Sequence, residues 1–348
     1  MNFFMFWKHL AFGVLIFSLL SVTRNVFSRE IFDSEKIEAA VEHGLNYFRK
    51  RLDAGIMPGD GAFRNDVGIT ALVGMAFLSS GSTPLEGPDA KYAARCVDLI
   101  LEKARPNGIL AGNSASEQGI AYAHGFAMTF LAECLGMSEQ DEVIRSVLEK
   151  AILRIVEAQG ENGGWRYSFF PGEEDVSVTA CHLTALRACR NAGLSIPAET
   201  VENGINYLLR CQNLDGGFRY RLAAGPSALP RSAAAVSGLC AAGKYDSPQI
   251  REAMEYLRNA LRDSQAVSPN DGYFHYAQYY AVQAFRLTLA PERREDFGEE
   301  SFCQFLRALL HEQRPDGSWP STISVDCATA MALIALQMEN DYLPIFQR

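Results

Sequence analysis

The amino-acid sequence predicts an all-α protein, an (α/α)6 toroid in which a ring of six outer helices surrounds a ring of six inner helices. Three observations predict this fold: a glycine-containing corner motif recurs along the chain, an amphipathic helix precedes each corner, and an apolar helix follows it. No segment of useful length shows the alternation of apolar and polar residues that is typical of a β-strand. An open solenoid is the alternative arrangement. Because neither end of the array carries a special polar cap, we expect the six pairs to close into a ring.

The corner motif reads Gln-x-x-x-Gly-x-aromatic in its three best copies. Glycine permits left-handed backbone at a helix-to-helix turn, the aromatic side chain can cover the seam between pairs, and the glutamine can bond backbone groups at a helix end. We therefore predict a structural role for these residues rather than a catalytic aromatic box. The glutamines and aromatic residues of the best copies are Gln159, Trp165, Gln212, Phe218, Gln313 and Trp319. Looser copies surround Gly61, Gly108 and Gly272.

The helix before each corner has one apolar face. In 250–261, for example, apolar residues recur at helical spacing between charged ones. The helix after each corner is apolar nearly all round and rich in small residues, as in 232–239 and 328–336, which is typical of a helix buried on all sides. The predicted pairs are 36–51 with 66–80, 90–105 with 119–136, 141–158 with 175–192, 199–212 with 231–243, 248–265 with 275–289, and 299–313 with 326–339.

The composition is that of a folded globular protein. The chain has 348 residues, of which 48% are hydrophobic, and a formal net charge of −9. This acidic balance argues against a nucleic-acid partner and gives no attraction to an anionic membrane surface. The eight cysteines lie in apolar helical patterns and no Cys-x-x-Cys occurs, so we predict free core thiols and no structural zinc site. A disulfide framework is the alternative for an exported chain.

The N-terminal segment differs from the rest of the chain. Residues 1–28 contain no Asp or Glu, and the uncharged run 10–22 has the length of a signal-peptide h-region. Val26 and Ser28 fit the −3 and −1 positions of a cleavage site. We therefore expect 1–28 to be a signal peptide or a membrane anchor and 29–348 to be a single toroid domain, exported to a periplasmic or extracellular compartment. Membrane contact is expected only through this segment, if it is uncleaved.

The corner motifs resemble the repeats of squalene and oxidosqualene cyclases and of protein prenyltransferase β-subunits, the terpenoid cyclase and prenyltransferase superfamily. The resemblance covers roughly residues 36–339. It implies a toroid whose central cavity binds isoprenoid chains, peptides, or both. It does not by itself imply a reaction, because one fold hosts many functions.

The catalytic motifs of these families are absent from the sequence. Squalene-type cyclases protonate their substrate with Asp-x-Asp-Asp, and the nearest acidic cluster here is 173–175. Prenyltransferases bind zinc through Asp-x-Cys and a histidine, whereas 231–233 reads Arg-Ser-Ala and Asp326 directly precedes Cys327. Related thioester domains carry Cys-Gly-Glu-Gln, and 115–118 lacks the cysteine. We therefore predict no metal and no other cofactor, and any catalysis would be metal-independent.

The candidate site lies where the inner helices begin, because six helices that follow their corners in the same sense should start on one face of the ring. Asp175, Asp326 and His182 are the candidate catalytic residues. Capping of a helix is the alternative for the aspartates, and a core histidine bonded to a carbonyl is the alternative for His182 and His124. The candidate ligand-binding residues are Asp66, Tyr122, His124, Arg219, Arg221, Arg231, His275 and Tyr279. In the prenyltransferases, basic residues near such a corner hold the lipid pyrophosphate; a solvated loop is the alternative for the three arginines.

The sequence thus favours an exported protein that binds an isoprenoid or another elongated ligand in a central cavity. A non-catalytic scaffold or peptide-binding module is the first alternative, and a filled ring centre would favour it. A sugar-active (α/α)6 enzyme is the second, and it needs paired carboxylates about 5–9.5 Å apart, for which the sequence names no pair. The expected partners are an isoprenoid, another lipid or a peptide, and no nucleic acid.

Overall fold

The computed structural model describes residues 34–111, 117–262, 272–288 and 300–348, and the predicted signal peptide or anchor at 1–28 lies outside them. Twelve α-helices and no β-strand occur in the described residues. The helices are α1 Ser34–Asp53, α2 Val67–Ser79, α3 Ala90–Lys103, α4 Glu117–Cys134, α5 Asp141–Ala158, α6 Val176–Asn191, α7 Ala198–Arg210, α8 Leu229–Ala241, α9 Pro248–Arg262, α10 Phe274–Thr288, α11 Glu300–Glu312 and α12 Val325–Leu336. None of the described helices is long and apolar enough to cross a membrane.

The even-numbered helices form a closed inner ring. They pack side by side in the order α2, α4, α6, α8, α10 and α12, and α12 packs in turn against α2. The odd-numbered helices lie outside this ring: α1, α3, α5, α7 and α9 pack against inner helices, and α11 packs between α9 and α1. Burial explains the sequence pattern: every residue of α2 is buried, whereas α9 buries only four residues along one face. The predicted (α/α)6 toroid is confirmed.

All six inner helices point the same way. The chain that follows α12 runs past the ends of the others. Asn340 Nδ2 donates to the carbonyl of Ser79 at the end of α2 (3.0 Å), and Arg187 near the end of α6 donates to the carbonyl of Gln347 (2.6 Å). Arg286 near the end of α10 lies 3.5 Å from Glu339. The inner helices therefore end at one opening of the ring, the C-terminal mouth, and begin at the other, the N-terminal mouth.

The corner glutamines tie successive repeats together. Gln159 Nε2 donates to the carbonyl of Gly163 within its own corner (2.7 Å) and to the carbonyl of Thr200 near the start of α7 (2.9 Å). The other two glutamines repeat this pair of bonds: Gln212 bonds Gly216 and Gln249, and Gln313 bonds Gly317 and Ala40. Because Ala40 lies on α1, the sixth corner joins the last repeat to the first.

The corner glycines allow this close approach. Gly216 has φ +84°, and a Cβ atom there would lie 2.4 Å from the carbonyl oxygen of Glu252 on the next outer helix. Gly317 has φ +92°, and its Cβ would lie 2.3 Å from the carbonyl oxygen of His43 on α1. Glycine is needed both for the left-handed backbone and for contact with the neighbouring helix.

The corner aromatics are buried in the seams between repeats. Trp165 and Trp319 donate their indole N–H groups to the carbonyls of Ile155 and Leu309, both at 2.7 Å, and Phe218 is fully buried at the equivalent position. Of the cysteines whose side chains are described, six are buried and Cys327 is partly buried, and all seven are free. The prediction of free core thiols is confirmed for these seven, while the Cys303 side chain lies outside the described part of the chain.

Candidate functional site

Aromatic side chains meet across the axis of the inner ring. Tyr122 on α4 and Tyr276 on α10 have ring centroids 6.4 Å apart in an edge-to-face contact, and Phe126 and Tyr279 on the same two helices are 6.2 Å apart. Helices α4 and α10 lie opposite each other in the ring, so these pairs span its centre. Phe346, from the chain after α12, contacts Tyr279 from the C-terminal mouth, with 6.3 Å between centroids. These five residues, the aromatic column, meet along the axis where a central ligand cavity was expected.

Asp175 is the buried carboxyl group at the N-terminal mouth. It caps α6, and its Oδ1 accepts the Val178 N–H at 2.9 Å. Its Oδ2 accepts a weak hydrogen bond from the Tyr220 hydroxyl at 3.4 Å and lies 3.9 Å from Arg166 Nε. Burial raises the pKa of Asp175 to about 6, against the opposing effects of the Val178 N–H and Arg166. This carboxyl group can therefore hold or release a proton under mildly acidic conditions.

Two tyrosines and an arginine surround the free oxygen of Asp175. The Tyr167 and Tyr220 hydroxyls share a 2.6 Å hydrogen bond, and the Arg166 guanidinium lies over both rings, at 5.1 and 5.8 Å from their centroids. We call Asp175, Arg166, Tyr167 and Tyr220 the Asp175 site. Of these four, only Asp175 was a candidate in the sequence analysis. The sequence does contain a pattern that points to Arg166, Tyr167 and Tyr220: in two corners, at 165–167 and 218–220, the aromatic residue is followed by the same Arg-Tyr dipeptide.

The other two candidate aspartates have structural bonds. Asp66 caps α2 by accepting the Ile69 N–H at 2.9 Å, and burial raises the pKa of its carboxyl group. Asp326 is not the cap of α12, as its place at the start of the helix suggested, because Ser324 accepts the capping N–H. Asp326 is instead fully buried against the first repeat.

The bonds of Asp326 use both of its oxygens. Its Oδ1 accepts the Tyr47 hydroxyl at 2.7 Å, and its Oδ2 accepts from Arg51 at 2.9 Å and from the Gly59 N–H at 2.7 Å. The carboxylate thus joins the last inner helix to the first repeat. The sequence offered no signal for this pairing, because the partners are more than 260 residues away.

The candidate histidines bond backbone carbonyls. His124 Nδ1 accepts the Leu110 N–H at 3.1 Å, so the proton lies on Nε2, which donates to the Ala151 carbonyl at 3.3 Å. Burial lowers the pKa of His124 to about 3 and that of His182 to about 4, so both rings are neutral. These contacts fit the core-histidine alternative. His182 and His275 contact carbonyl groups of Ala121 and Pro320 through Nε2.

The three candidate arginines divide into two groups. Arg219 donates to the carbonyl of Arg210, and Arg231 donates to the carbonyl of Phe218 at 3.1 Å, so both hold the fourth corner together. Arg221 is half exposed and lies 3.7 Å from Glu173, which also pairs with Arg166 beside Asp175. Of the three, only Arg221 is connected to the Asp175 site.

The comparison with protein families agrees with this architecture. The sequence model of the prenyltransferase alpha-alpha toroid domain matches residues 67–266, more than half of the chain. The chain belongs to this family. No curated protein matches this toroid in sequence.

Solved structures with the same fold include two kinds of enzyme. The apo type II terpene cyclase MstE from Scytonema is 16% identical to this toroid, with a TM-score of 0.59 over 89% of this chain and 100% of that chain. A variant of MstE with its product merosterolic acid A gives 16% identity and a TM-score of 0.57 over 87% and 96%. A glycoside hydrolase family 76 mannosidase from Bacteroides thetaiotaomicron is 9% identical, with a TM-score of 0.59 over 88% and 98%. At these identities the likeness shows a shared fold alone.

Metal-ligating side chains do not cluster in the described part of this toroid. Among the side chains that the structure describes, no three from His, Cys, Asp or Glu come together as metal ligands. The chemistry that the described residues can supply is that of carboxyl groups, phenols and guanidinium groups at the N-terminal mouth.

Proposed function

We propose that this toroid binds an elongated isoprenoid ligand at the N-terminal mouth and that Asp175 is the acid that protonates it, without a metal. The observation that carries the proposal is a fully buried carboxyl group beside aromatic rings at the opening of the ring. Burial and the nearby charge of Asp175 raise the pKa of the Tyr276 hydroxyl, so the top of the aromatic column is close to the acid. Tyr122 and Tyr276 would form the floor on which the ligand lies.

The surroundings of Asp175 suit transfer of a proton to an alkene. The proton leaves Oδ2, a C–H bond forms on the ligand, and a carboxylate and a carbocation remain. The Tyr220 hydroxyl and the Arg166 guanidinium, at 3.4 and 3.9 Å from Oδ2, stabilise the carboxylate. The faces of aromatic rings attract cations, so Tyr122 and Tyr276 would stabilise the positive charge on the ligand.

A polar head group has a place at the rim of the same site. Glu173 is mostly exposed and pairs with Arg166, and Arg221 lies 3.7 Å from the same carboxylate oxygen. An exposed ion pair is weak, so an anionic group on a ligand can take the place of Glu173 at little cost. This arrangement supports a ligand with an apolar chain and an acidic head.

A non-catalytic scaffold is the second candidate function, and the aromatic column favours it. The pairs Tyr122–Tyr276 and Phe126–Tyr279 fill the axis, so a ligand has to lie above them. A sugar-active function needs a pair of facing carboxylates and has less support. The buried acids Asp66 and Asp175 cap α2 and α6, which are not neighbours in the ring.

The test uses a defined probe. Geranylgeranyl dihydroxybenzoate is named as the substrate of MstE, and it has an isoprenoid chain and an acidic head. Native mass spectrometry measures its binding, and liquid chromatography with mass spectrometry detects a cyclised product of unchanged mass. We expect binding and turnover by the natural sequence, binding without turnover by Asp175→Asn, and both in the matched surface control Asp53→Asn. Binding without turnover by the natural sequence would favour the scaffold, and no binding at all would contradict the proposal.

A further inference from the structure

The last residues of the chain lie across the C-terminal mouth. Residues 337–348, which we call the strap, begin beside α2, where Gln337 Nε2 donates to the carbonyl of Ala76 at 3.2 Å. The strap ends beside α8, where the Arg348 guanidinium lies over the Tyr245 ring at 5.1 Å. Helices α2 and α8 are opposite members of the inner ring, so the strap crosses the whole mouth.

The strap places apolar side chains in the end of the ring. Leu343, Ile345 and Phe346 are 4%, 1% and 6% exposed, and Met338 near the start of the strap is 5% exposed. The Phe346 ring contacts Tyr279, whose ring also contacts Phe126. The strap therefore closes this end of the axis with the protein's own apolar side chains.

Ion pairs at the edge of the mouth hold the strap in place. The buried Arg286 pairs with Asp341 and with Glu339, but the side chains of these two acids are 39% and 57% exposed. Arg187 donates to the carbonyl of Gln347 at 2.6 Å. Arg286 itself is buried, so these pairs stabilise the edge of the closed strap, and the strap can lift only if water or another group replaces the two acids.

A buried carboxyl group lies beneath the strap. Glu133, near the end of α4, is 7% exposed, lies near the backbone N–H of Ile345 in the strap, and has no partner for its Oε2. The charged or titratable groups that face it are Arg187 and the thiol of Cys189 from α6, and the thiol of Cys134 on its own helix. Burial raises the pKa of both thiols, so they stay neutral and Arg187 is the only counter-charge among these three.

We propose that the strap seals an apolar ligand site at the C-terminal mouth and that Glu133 is the pH-sensitive latch that holds it. An ionised Glu133 beneath the closed strap has an unpaired oxygen without water, which is unfavourable. When the strap lifts, water reaches both oxygens. Ionisation therefore favours the open strap, and the site then takes a neutral apolar group, such as an aromatic ring or the end of a hydrocarbon chain, in the place of Phe346.

The sign and size of the pH effect follow from proton linkage. Burial raises the pKa of Glu133 from 4.5 to about 7 in the closed state, and exposure to water returns it toward 4.5. The closed state thus binds the proton more tightly than the open state. The ratio of closed to open strap falls as the pH rises from 4.5 through 7, by up to about 300-fold.

Hydrogen exchange on the full chain tests the latch. Mass spectrometry measures protection of peptide 337–348 at pH 5 and pH 8, after correction for the intrinsic exchange rate, with peptide 198–210 as an internal reference. We expect protection of the strap to fall at pH 8 while the reference is unchanged. Glu133→Gln, which keeps an acceptor but cannot ionise, should give equal protection at both pH values. Unchanged protection in the natural sequence, or a pH effect that survives in Glu133→Gln, would overturn the latch.

Two further measurements keep the proposal testable if Glu133→Gln fails to fold. Asp341→Asn weakens the edge of the strap but keeps Glu133, so it should lower protection at both pH values and retain the pH effect; loss of the effect would assign the latch to Asp341 instead. Binding of the neutral apolar dye N-phenyl-1-naphthylamine reports the site, and we expect it to rise at pH 8 with strap opening. A strap that opens without any rise in dye binding would overturn the ligand site.

Discussion

Tyr122 and Tyr276 face each other across the centre of the ring, with 6.4 Å between their ring centroids, although 154 residues separate them in the chain. Their helices, α4 and α10, share no seam in the inner ring, so this contact and the Phe126–Tyr279 contact brace two repeats across the axis. The same pair forms the floor of the N-terminal mouth. Stability of the ring and the shape of the candidate site therefore depend on the same side chains.

Replacement of Asp175 by asparagine should change the pH dependence of stability. The raised pKa means that the folded state holds the Asp175 proton more tightly than the unfolded state, so the free energy of unfolding falls as the pH rises from 3.8 through 6. Asparagine caps a helix about as well as aspartate and does not ionise. As the pH rises from 4 to 8, the free energy of unfolding of Asp175→Asn should therefore increase by up to about 3 kcal/mol relative to that of the natural sequence.

Urea unfolding at the two pH values measures this difference. Asp53→Asn is the matched control, because Asp53 is exposed and its pKa is lowered from 3.8 by Tyr92 and Lys91, so its ionisation affects stability mainly below pH 4 and its removal should add little pH dependence between pH 4 and pH 8. A difference between Asp175→Asn and the natural sequence that is independent of pH would contradict the raised pKa of Asp175.

Removal of a corner tryptophan should destabilise the ring. Trp165→Ala and Trp319→Ala each remove a fully buried side chain and leave a carbonyl without its indole donor. We expect each to lower the free energy of unfolding by roughly 3–5 kcal/mol. Thermal or urea unfolding measures it, with Leu214→Ala in the fourth corner as an exposed control that should have little effect. An unchanged melting temperature with loss of ligand binding would instead place the tryptophans in the site.

Asp326→Ala should loosen the junction between the first and last repeats. The substitution leaves the Arg51 guanidinium, the Tyr47 hydroxyl and the Gly59 N–H without their acceptor. Breaking such a buried pair typically costs about 3–5 kcal/mol. Relative to the natural sequence, the substitution should increase the rate of hydrogen exchange more in α1 than in α7. Equal increases in both helices would argue against a role specific to closure. Asp53→Ala, which breaks an exposed pair with Lys91, is the control.

Two glycine substitutions separate backbone strain from close packing. Gly193→Ala at φ +81° places its methyl group in open space, so it should cost only the strain of left-handed backbone, about 1–2 kcal/mol. Gly216→Ala at φ +84° adds a clash with the Glu252 carbonyl of α9. We expect a clearly larger loss of stability for Gly216→Ala in urea unfolding. Equal losses would mean that α9 can move away from the corner.

The helices could be predicted from sequence because burial repeats with the period of the helix. The predicted helix 66–80 is Val67–Ser79 in the structure, with Asp66 as its cap. The position of Asp175 at the N-terminal mouth followed from the same reasoning. The chemical surroundings of the acids could not be predicted in this way. The partners of Asp326 lie on the first repeat, and the filling of the axis depends on how far Tyr122 and Tyr276 reach across the ring.

Closure of the ring through α1 sets the order in which the protein can fold. Gln313 bonds the carbonyl of Ala40 across 273 residues of sequence, so α1 leaves the ribosome long before the corner that it must contact. The entropic cost of closing a loop grows only with the logarithm of its length, so the great length of this loop adds little to the cost of closure. Contacts between distant residues nevertheless form slowly. A chain that still lacks the sixth corner cannot close, and the apolar seams left open at both ends of its arc are the kind of surface that promotes aggregation.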